Sequence, residues 1–199
     1  MGGGYAEFRQ ITQIIKRQQL RRELGIPLDV TVLLSVGEVN RNKNHQLVLR
    51  TLPKLENAYY VICGAGPLMD NLRTLSNKLN VSERFLMVGH RADVADFYQM
   101  ADIFVFPSLR EGLGMALLEA LACGLPALAM NTRGPADIIR NGQNGFLMEN
   151  NVEAWTDKIK NLCQRQDTLL ELRSAAQDSV SQYDINCVLP ALKKLYADI

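Results

Sequence analysis

The stretch that decides the fold is ADIFVFPSLREGLGMALLEALACGLPALAM, residues 101–130. It joins an apolar run at 103–106 to a second one at 126–130 through a glycine-rich turn and a helical segment at 114–123. Short runs that are apolar throughout are typical of strands buried on both faces of a parallel sheet. Gly124, with a proline shortly after it, is a normal helix stop. The stretch therefore predicts one β-α-β unit.

The same alternation continues on both sides of this unit. Apolar residues have helical spacing at 48–55, at 68–79 and after a predicted Asp93 cap. We therefore expect an α/β fold with a doubly wound, open parallel sheet of the Rossmann-like kind. The further predicted strands are 30–36, 59–63, 85–88 and, as a short last strand, 146–148.

Both ends of the chain are expected to add helices to a single domain. The start, MGGG, looks like a tag remnant or an artificial start, and Phe8, Ile11 and Ile15 after it have helical spacing. We expect no internal repeat. The predicted parts are a tag remnant with a connecting helix at 1–27, the Rossmann-like domain at 28–165, and a helical trailer of that domain at 166–199.

The C-terminal part is predicted to contain consecutive helices. Asn150 and Glu153 resemble a capping box that starts the first of them. A second apolar helical face lies at 169–180. A third helix is predicted at 185–196, with a bend at Pro190 because proline cannot donate the helical hydrogen bond.

Composition excludes several classes of protein. The chain has 199 residues, of which 47% are hydrophobic and 22% charged, as in ordinary globular domains rather than disordered ones. The net charge of +1 argues against a nucleic-acid partner. No apolar run reaches the roughly 18 residues of a membrane span, and we read no secretion signal at the start, so a cytoplasmic location is expected. The cysteines, which lie far apart and are read as reduced thiols, are Cys63, Cys123, Cys163 and Cys187.

Ligands of such sheets bind at the carboxyl ends of the strands, so the loops there are the candidate site. The first loop has Gly37 directly after a strand, then Arg41 and Lys43 near a helix start. A cation beside a helix N-terminus suits a phosphate group. The alternative is a solvated loop with ordinary surface charge.

The next two loops carry weaker signals. Gly64 and Gly66 permit a tight turn, either for its own sake or so that a ligand can approach the backbone closely. They lack the third glycine of the dinucleotide fingerprint. His90 and Arg91 could line a cleft, although residues of these types are more often ordinary loop residues.

The fourth loop and its helix are the most informative. The helix is apolar on every side except at Glu119, and a carboxylate in a buried helix needs a partner. Glu111 lies just ahead of the helix in a glycine-rich turn. The alternatives to ligand contacts are a buried ion pair for Glu119 and a dipole-complementing carboxylate for Glu111.

At this point the residues carry a resemblance. Glu111 and Glu119, with Gly112-Leu113-Gly114 between them, match the E-x7-E signature of family 4 retaining glycosyltransferases. The chain resembles the capsule or exopolysaccharide type of that family over residues 28–150. The other matching stretches are VGEVNRNKNHQLVLRTL, VICGAGPLMDNLRTL, FLMVGHRADVADFYQMADIFVFPSLREG and RGPADIIRNGQNGFLM.

The resemblance implies the C-terminal, donor-binding half of a GT-B enzyme, in which two Rossmann-like domains face each other across a cleft. The partner domain, which binds the acceptor, would precede residue 28, and without it the chain would hardly turn over. A UDP-sugar is the expected donor, and the full-length enzyme could associate peripherally with the inner face of a membrane. The resemblance implies that Lys43 contacts the diphosphate, with Gly37 and Arg41 in the same loop, and that Glu111 binds the sugar next to the reacting carbon. Glu119 would bind the ribose, and His90 and Arg91 would lie at the base. Sugar and phosphate would also accept hydrogen bonds from the backbone N–H groups of Gly112, Leu113, Gly114 and Met115.

The chain departs from the family pattern at Glu38, where many members carry Arg, and Arg41 could compensate. Asp137 replaces a commoner Glu. The chain contains no Asp-x-Asp, the motif with which glycosyltransferases of the other main fold hold a metal ion, so we expect no metal and no cofactor. The alternative functions are a stand-alone nucleotide-sugar binding or regulatory module and, with less support, a Rossmann dehydrogenase or a sugar-nucleotide epimerase.

Overall fold

A six-stranded parallel sheet in the order β3-β2-β1-β4-β5-β6 forms the centre of the computed structural model, which describes residues 3–183. The predicted doubly wound α/β fold is confirmed, because the strand order reverses between β1 and β4. β1 and β2 pair from Thr31 with Ala58 to Val36 with Cys63. The strands are β1 Thr31–Val36, β2 Ala58–Cys63, β3 Phe85–Gly89, β4 Ile103–Phe106, β5 Ala127–Met130 and β6 Gly145–Met148.

Helices cover both faces of the sheet. Successive strand residues point to opposite faces, so Leu33 joins one buried cluster and Leu34 the other. Side chains of α2, α3 and α7 fill the first cluster, and those of α4 and α5 fill the second. The helices are α1 Gly3–Glu23, α2 His45–Leu49, α3 Met69–Lys78, α4 Val94–Met100, α5 Met115–Ala122, α6 Arg133–Ile138, α7 Val152–Gln164 and α8 Gln166–Ser179.

Several helix boundaries differ from the predicted ones. The segment predicted as helix at 48–55 divides into α2 and a 3-10 turn at Leu52–Lys54, since Pro53 lacks the N–H that a continuous helix needs. The cap of α7 is Asn151, whose side chain accepts a hydrogen bond from the Ala154 N–H, and Asn150 precedes it. The predicted helix at 185–196, with its bend at Pro190, lies outside the described residues.

The N-terminal helix is bound to the sheet by buried charges. The predicted helix is present as α1, but it begins at Gly3, inside the MGGG start that resembles a tag remnant. Arg17 and Arg21 each contact the Asp102 carboxylate, at 2.7 and 2.6 Å, and Arg21 is 1% exposed. Burial would raise the pKa of Asp102, but the charges of the two arginines and a hydrogen bond from Val32 N–H outweigh it, so the pKa lies below its usual value.

Candidate functional site

The first three loops are stacked on one another at the carboxyl edge of the sheet. The Gly37 N–H donates to the Cys63 carbonyl, and the Gly64 N–H donates to the Gly89 carbonyl. A Cβ at Gly64 would lie 1.8 Å from the Gly37 carbonyl oxygen, and one at Gly66 would lie 2.5 Å from that of Val39. The glycines of the second loop therefore serve close packing against the first loop, which accounts for them without a ligand.

An ion pair joins the loops that follow β1 and β4. The Lys43 ammonium, from the first loop, lies 2.5 Å from the Glu111 carboxylate of the fourth loop, and the two side chains are only 20% and 13% exposed. Lys43 also lies 5.0 Å from the centre of the Phe106 ring, and its Cε would be 3.3 Å from a Cβ at Gly37. The structure thus brings together three predicted site residues. The alternative for Glu111 was a carboxylate that complements the dipole of α5. The first turn of α5 contains no acidic residue, and Glu111 forms an ion pair with Lys43 instead.

Backbone bonds join the same two loops. The Leu109 N–H donates to the Asn42 carbonyl, and the Asn42 side-chain amide donates to the Arg110 carbonyl. Ser108, which follows β4, is 1% exposed, and its hydroxyl has no hydrogen-bond partner among the described residues. The Thr132 hydroxyl, after β5, is also buried and has no hydrogen-bond partner within the described part of the chain. These two hydroxyls were not predicted as site residues.

The start of α5 opens toward solvent beside this pair. Gly114 is the N-cap, with a left-handed φ of 74°, and no side chain caps the helix. The first N–H groups of a helix have no intrahelical partner, so they are available to an anion. Leu113 and Met115 are 51% and 60% exposed. The loop is supported from below, because a Cβ at Gly134 of α6 would lie 1.9 Å from the Gly112 carbonyl oxygen.

Glu119 lies one turn further along α5, and its side chain is exposed. Our expectation of a helix buried on all sides was wrong here, because α5 buries only one face, which includes Leu117 and Leu121. The alternative of a buried ion pair is also wrong: among the described side chains, no Lys or Arg forms an ion pair with Glu119. Its Oε2 instead accepts a hydrogen bond of 2.8 Å from the hydroxyl of Tyr98, a residue that we had not predicted.

His90 and Arg91 are both exposed after β3. The Arg91 guanidinium donates to both carboxylate oxygens of Asp93, at 2.8 and 2.7 Å, and lies 5.2 Å from the Phe97 ring centre. Asp93 occupies the predicted N-cap position of α4, but its side chain makes no capping bond. The ion pair with Arg91 takes up that carboxylate instead.

Arg41 lines a groove of about 570 Å³ between α2 and α3, together with Arg50 and Lys78. The Glu38 carboxylate accepts a hydrogen bond from the Asn40 side chain. Lys43 and Glu111 do not line this groove.

A buried polar network supports the first loop. The His45 ring bonds to the Tyr60 hydroxyl at 2.9 Å, and the Tyr60 hydroxyl bonds to Ser35, whose own hydroxyl donates to the Val105 carbonyl. Burial lowers the pKa of His45 to about 4, so the ring is neutral near pH 7. The network holds the start of α2 against the sheet, next to Lys43.

Within residues 3–183, no group of three or more His, Cys, Asp or Glu is arranged to hold a metal ion. In the same part of the chain, no helix is both long enough and apolar enough to cross a membrane.

Comparison with known proteins gives consistent matches. The chain is 35% identical over 153 residues to EpsD of Bacillus subtilis (strain 168), and this alignment covers 75% of this chain and 40% of EpsD. HepE of Anabaena, solved with UDP and glucose, has a TM-score of 0.86 at 20% identity and covers 92% of this chain and 52% of HepE. The solved C-terminal domain of the group 1 glycosyl transferase LpcC from Francisella tularensis has a TM-score of 0.74 at 22% identity and covers 85% of this chain and 93% of that domain.

The chain thus spans about half the length, or less, of the curated relatives it matches. Its fold matches about half of each of the GT-B glycosyltransferase structures. The family model described as glycosyl transferases group 1 matches residues 16–179. The Lys43–Glu111 pair and the exposed Glu119 therefore lie in a chain that belongs to the glycosyl transferases group 1 family.

Proposed function

We propose that this chain is the C-terminal, donor-binding half of a glycosyltransferase that moves a hexose from a UDP-sugar to a glycan or lipid-linked acceptor with retention. The observation that carries the proposal is the Lys43–Glu111 ion pair at the carboxyl ends of β1 and β4, beside the uncapped start of α5. This is the point at which open α/β sheets bind their ligands. We propose the domain at 28–165, with 166–199 as its helical trailer.

The diphosphate of the donor is proposed to lie between Lys43 and the start of α5. The ammonium and the N–H groups of Gly112, Leu113, Gly114 and Met115 would share its negative charge. The backbone N–H groups are preorganised, so they stabilise a departing diphosphate without rearranging during the reaction, and Lys43 joins them once the bound donor has drawn it from Glu111. The family likeness and the absence of an Asp-x-Asp motif favour this arrangement over a metal ion.

Glu111 and Glu119 are proposed to hold the two hydroxyl-bearing parts of the donor. Glu111 lies beside the diphosphate position and would accept hydrogen bonds from the transferred sugar. Residue 119 lies about 8 Å along the helix from residue 114, a rise that suits a ribose attached to a diphosphate at the helix start. The base would then lie toward the loop of His90 and Arg91.

Binding the donor requires Lys43 to change partner. In the described structure its ammonium is 2.5 Å from Glu111. A diphosphate that attracts Lys43 leaves the Glu111 carboxylate without its cation, and sugar hydroxyls are then its replacement partners. The ion pair therefore favours a complete nucleotide sugar over the nucleotide alone.

We further propose that the acceptor-binding domain lies in a part of the protein that precedes this half. The solved LpcC fragment, a C-terminal domain that this chain covers almost completely, supports that assignment. A cytoplasmic location, with peripheral membrane association where the acceptor is lipid-linked, goes with this proposal. Because acceptor contacts would come from the other half, we expect this chain to bind the donor but hardly to turn it over.

Calorimetric titration of the chain with UDP, UDP-glucose, ADP and GDP tests the proposal. We expect dissociation constants between micromolar and millimolar for the uridine ligands, unchanged by EDTA. Lys43→Gln should weaken UDP binding, whereas Lys160→Gln, which removes an exposed lysine of α7, should not. Absence of binding by every nucleotide at millimolar concentration would refute the donor site. Tight binding that needs no partner domain would instead favour a stand-alone binding module.

A further inference from the structure

Tyr98 is buried beneath the exposed glutamate of α5. Its side chain is 3% exposed, and its ring packs edge-on against Phe104 at 5.7 Å. The hydroxyl lies 2.8 Å from Glu119 Oε2 and 3.3 Å from the Ala116 carbonyl oxygen. One oxygen of an otherwise exposed carboxylate is thus fixed by a group that belongs to the protein core.

The direction of this hydrogen bond is unambiguous. Burial raises the pKa of Tyr98 far above its usual value, and the hydrogen bond to Glu119 and the charge of that carboxylate raise it further. The phenol is therefore protonated throughout the physiological range and donates to the carboxylate. In the described structure, no hydrogen bond from the protein engages Oε1 of Glu119.

We propose that Tyr98 is a positioning residue for donor binding, because it fixes the Glu119 carboxylate with one oxygen turned to the ligand; this rests on the proposed function. A free glutamate side chain samples many rotamers, and ordering them on binding costs conformational entropy. A carboxylate already held by Tyr98 loses less of this freedom when it accepts ribose hydroxyls. Preorganisation of this kind raises affinity without adding a contact.

The same residue connects two parts of the proposed site. Tyr98 belongs to α4, which begins directly after the loop of His90 and Arg91. Arg91 packs over Phe97, the neighbour of Tyr98 in the chain. The short helix α4 therefore contacts both Arg91 of the proposed base loop and Glu119, the carboxylate proposed to bind the ribose. These contacts fix the distance between the proposed positions of the base and the ribose.

The test compares two ligands on Tyr98→Phe, which keeps the buried ring and removes only the hydroxyl. For UDP we expect affinity to fall about three- to tenfold, the range of one ordinary hydrogen bond. For 2′,3′-dideoxyuridine diphosphate, which has no ribose hydroxyls, we expect a change of less than about twofold by the same argument. A loss of stability alone would affect both ligands equally.

Two further variants make the test specific. Tyr183→Phe also removes a tyrosine hydroxyl bound to a carbonyl oxygen, that of Asp137, and should leave both affinities unchanged. Adding Tyr98→Phe to Glu119→Ala should have no further effect on UDP binding, because the group to be positioned is already absent. Melting curves show that all titrations are made on folded protein.

The outcomes separate this inference from the proposed function. If the wild-type chain binds no uridine nucleotide, the donor site itself is refuted, and the role of Tyr98 with it. If UDP binds and Glu119→Gln weakens it while Tyr98→Phe does not, only the positioning role is overturned. Equal losses for UDP and its dideoxy analogue would overturn it as well, since they would show that Tyr98 acts through general stability.

Discussion

Replacing Glu111 by Gln is expected to strengthen the binding of UDP. In the described structure, Lys43 must leave a carboxylate 2.5 Å away before it can contact a diphosphate. Glutamine keeps the shape of the side chain but holds the ammonium less strongly, because hydrogen bonds to ionised groups are about twice as strong as neutral ones. If Glu111 contacted only the sugar, this substitution would leave UDP binding unchanged.

The magnitude follows from the strength of the pair. Both side chains are largely buried, so solvent screens the pair only partly, and a hydrogen bond between charged groups contributes about 1.5–3 kcal/mol. If glutamine retains about half of this, release of Lys43 becomes easier by about 0.75–1.5 kcal/mol, which corresponds to roughly four- to twelvefold tighter UDP binding. A UDP-sugar also loses its charged partner at Glu111, so its affinity should improve much less or fall.

The assay is parallel titration of wild type and Glu111→Gln with UDP and UDP-glucose. Glu149→Gln is the matched control, because it also removes a carboxylate at this edge of the sheet. Among the described residues, the Glu149 carboxylate accepts a hydrogen bond only from the Asn131 amide, so its loss should not release Lys43. The expected result is a clear fall in the preference for UDP-glucose over UDP. Weaker UDP binding by Glu111→Gln, or equal changes for both ligands, would refute the exchange of partners by Lys43.

Three other predictions follow from the charges and hydrogen bonds described above. Glu119→Gln should weaken all uridine nucleotides about ten- to hundredfold, as measured by calorimetry, yet leave the melting temperature within a degree or two, because the side chain is exposed. Burial lowers the pKa of His45 to about 4 in the folded state, below its value of about 6.5 in the unfolded chain, so between these pH values the folded state binds fewer protons than the unfolded state. In urea denaturation, the free energy of unfolding should therefore have its full value above about pH 6.5 and fall by about 3 kcal/mol toward pH 4. A His45→Gln variant should lack this pH dependence. Asp102→Asn should lower the free energy of unfolding by about 3–5 kcal/mol in the same assay, since it leaves buried Arg21 without its carboxylate; an unchanged denaturation midpoint would contradict this.

The sheet could be predicted because its strands carry the plainest signal in the sequence. β4 and β5 are buried at every position, so their sequences are apolar without interruption. Helix ends were less predictable, because neighbouring residues compete for the same role. Asn150 and Asn151 are both good caps, and only the path of the backbone selects Asn151.

The contacts within the candidate site could not be read from sequence. Lys43 and Glu111 are 68 positions apart, and neither residue type identifies its partner. Tyr98 has the spacing of a core residue and packs as one, so nothing in the pattern indicates that its hydroxyl reaches Glu119.

The close contacts between loop glycines determine where this site can be varied by protein engineering. A side chain at Gly64 would collide with the carbonyl oxygen of Gly37, and a side chain at Gly134 with that of Gly112. These neighbours are backbone atoms, which cannot move aside as the end of a flexible side chain can. Random libraries that include these positions will return mostly misfolded clones. Leu113 and Met115, which follow Glu111 closely in the chain, are exposed to solvent, so they tolerate many replacements. A search for altered ligand preference at the proposed donor site is therefore best confined to this exposed pair, on a scaffold that keeps its glycines.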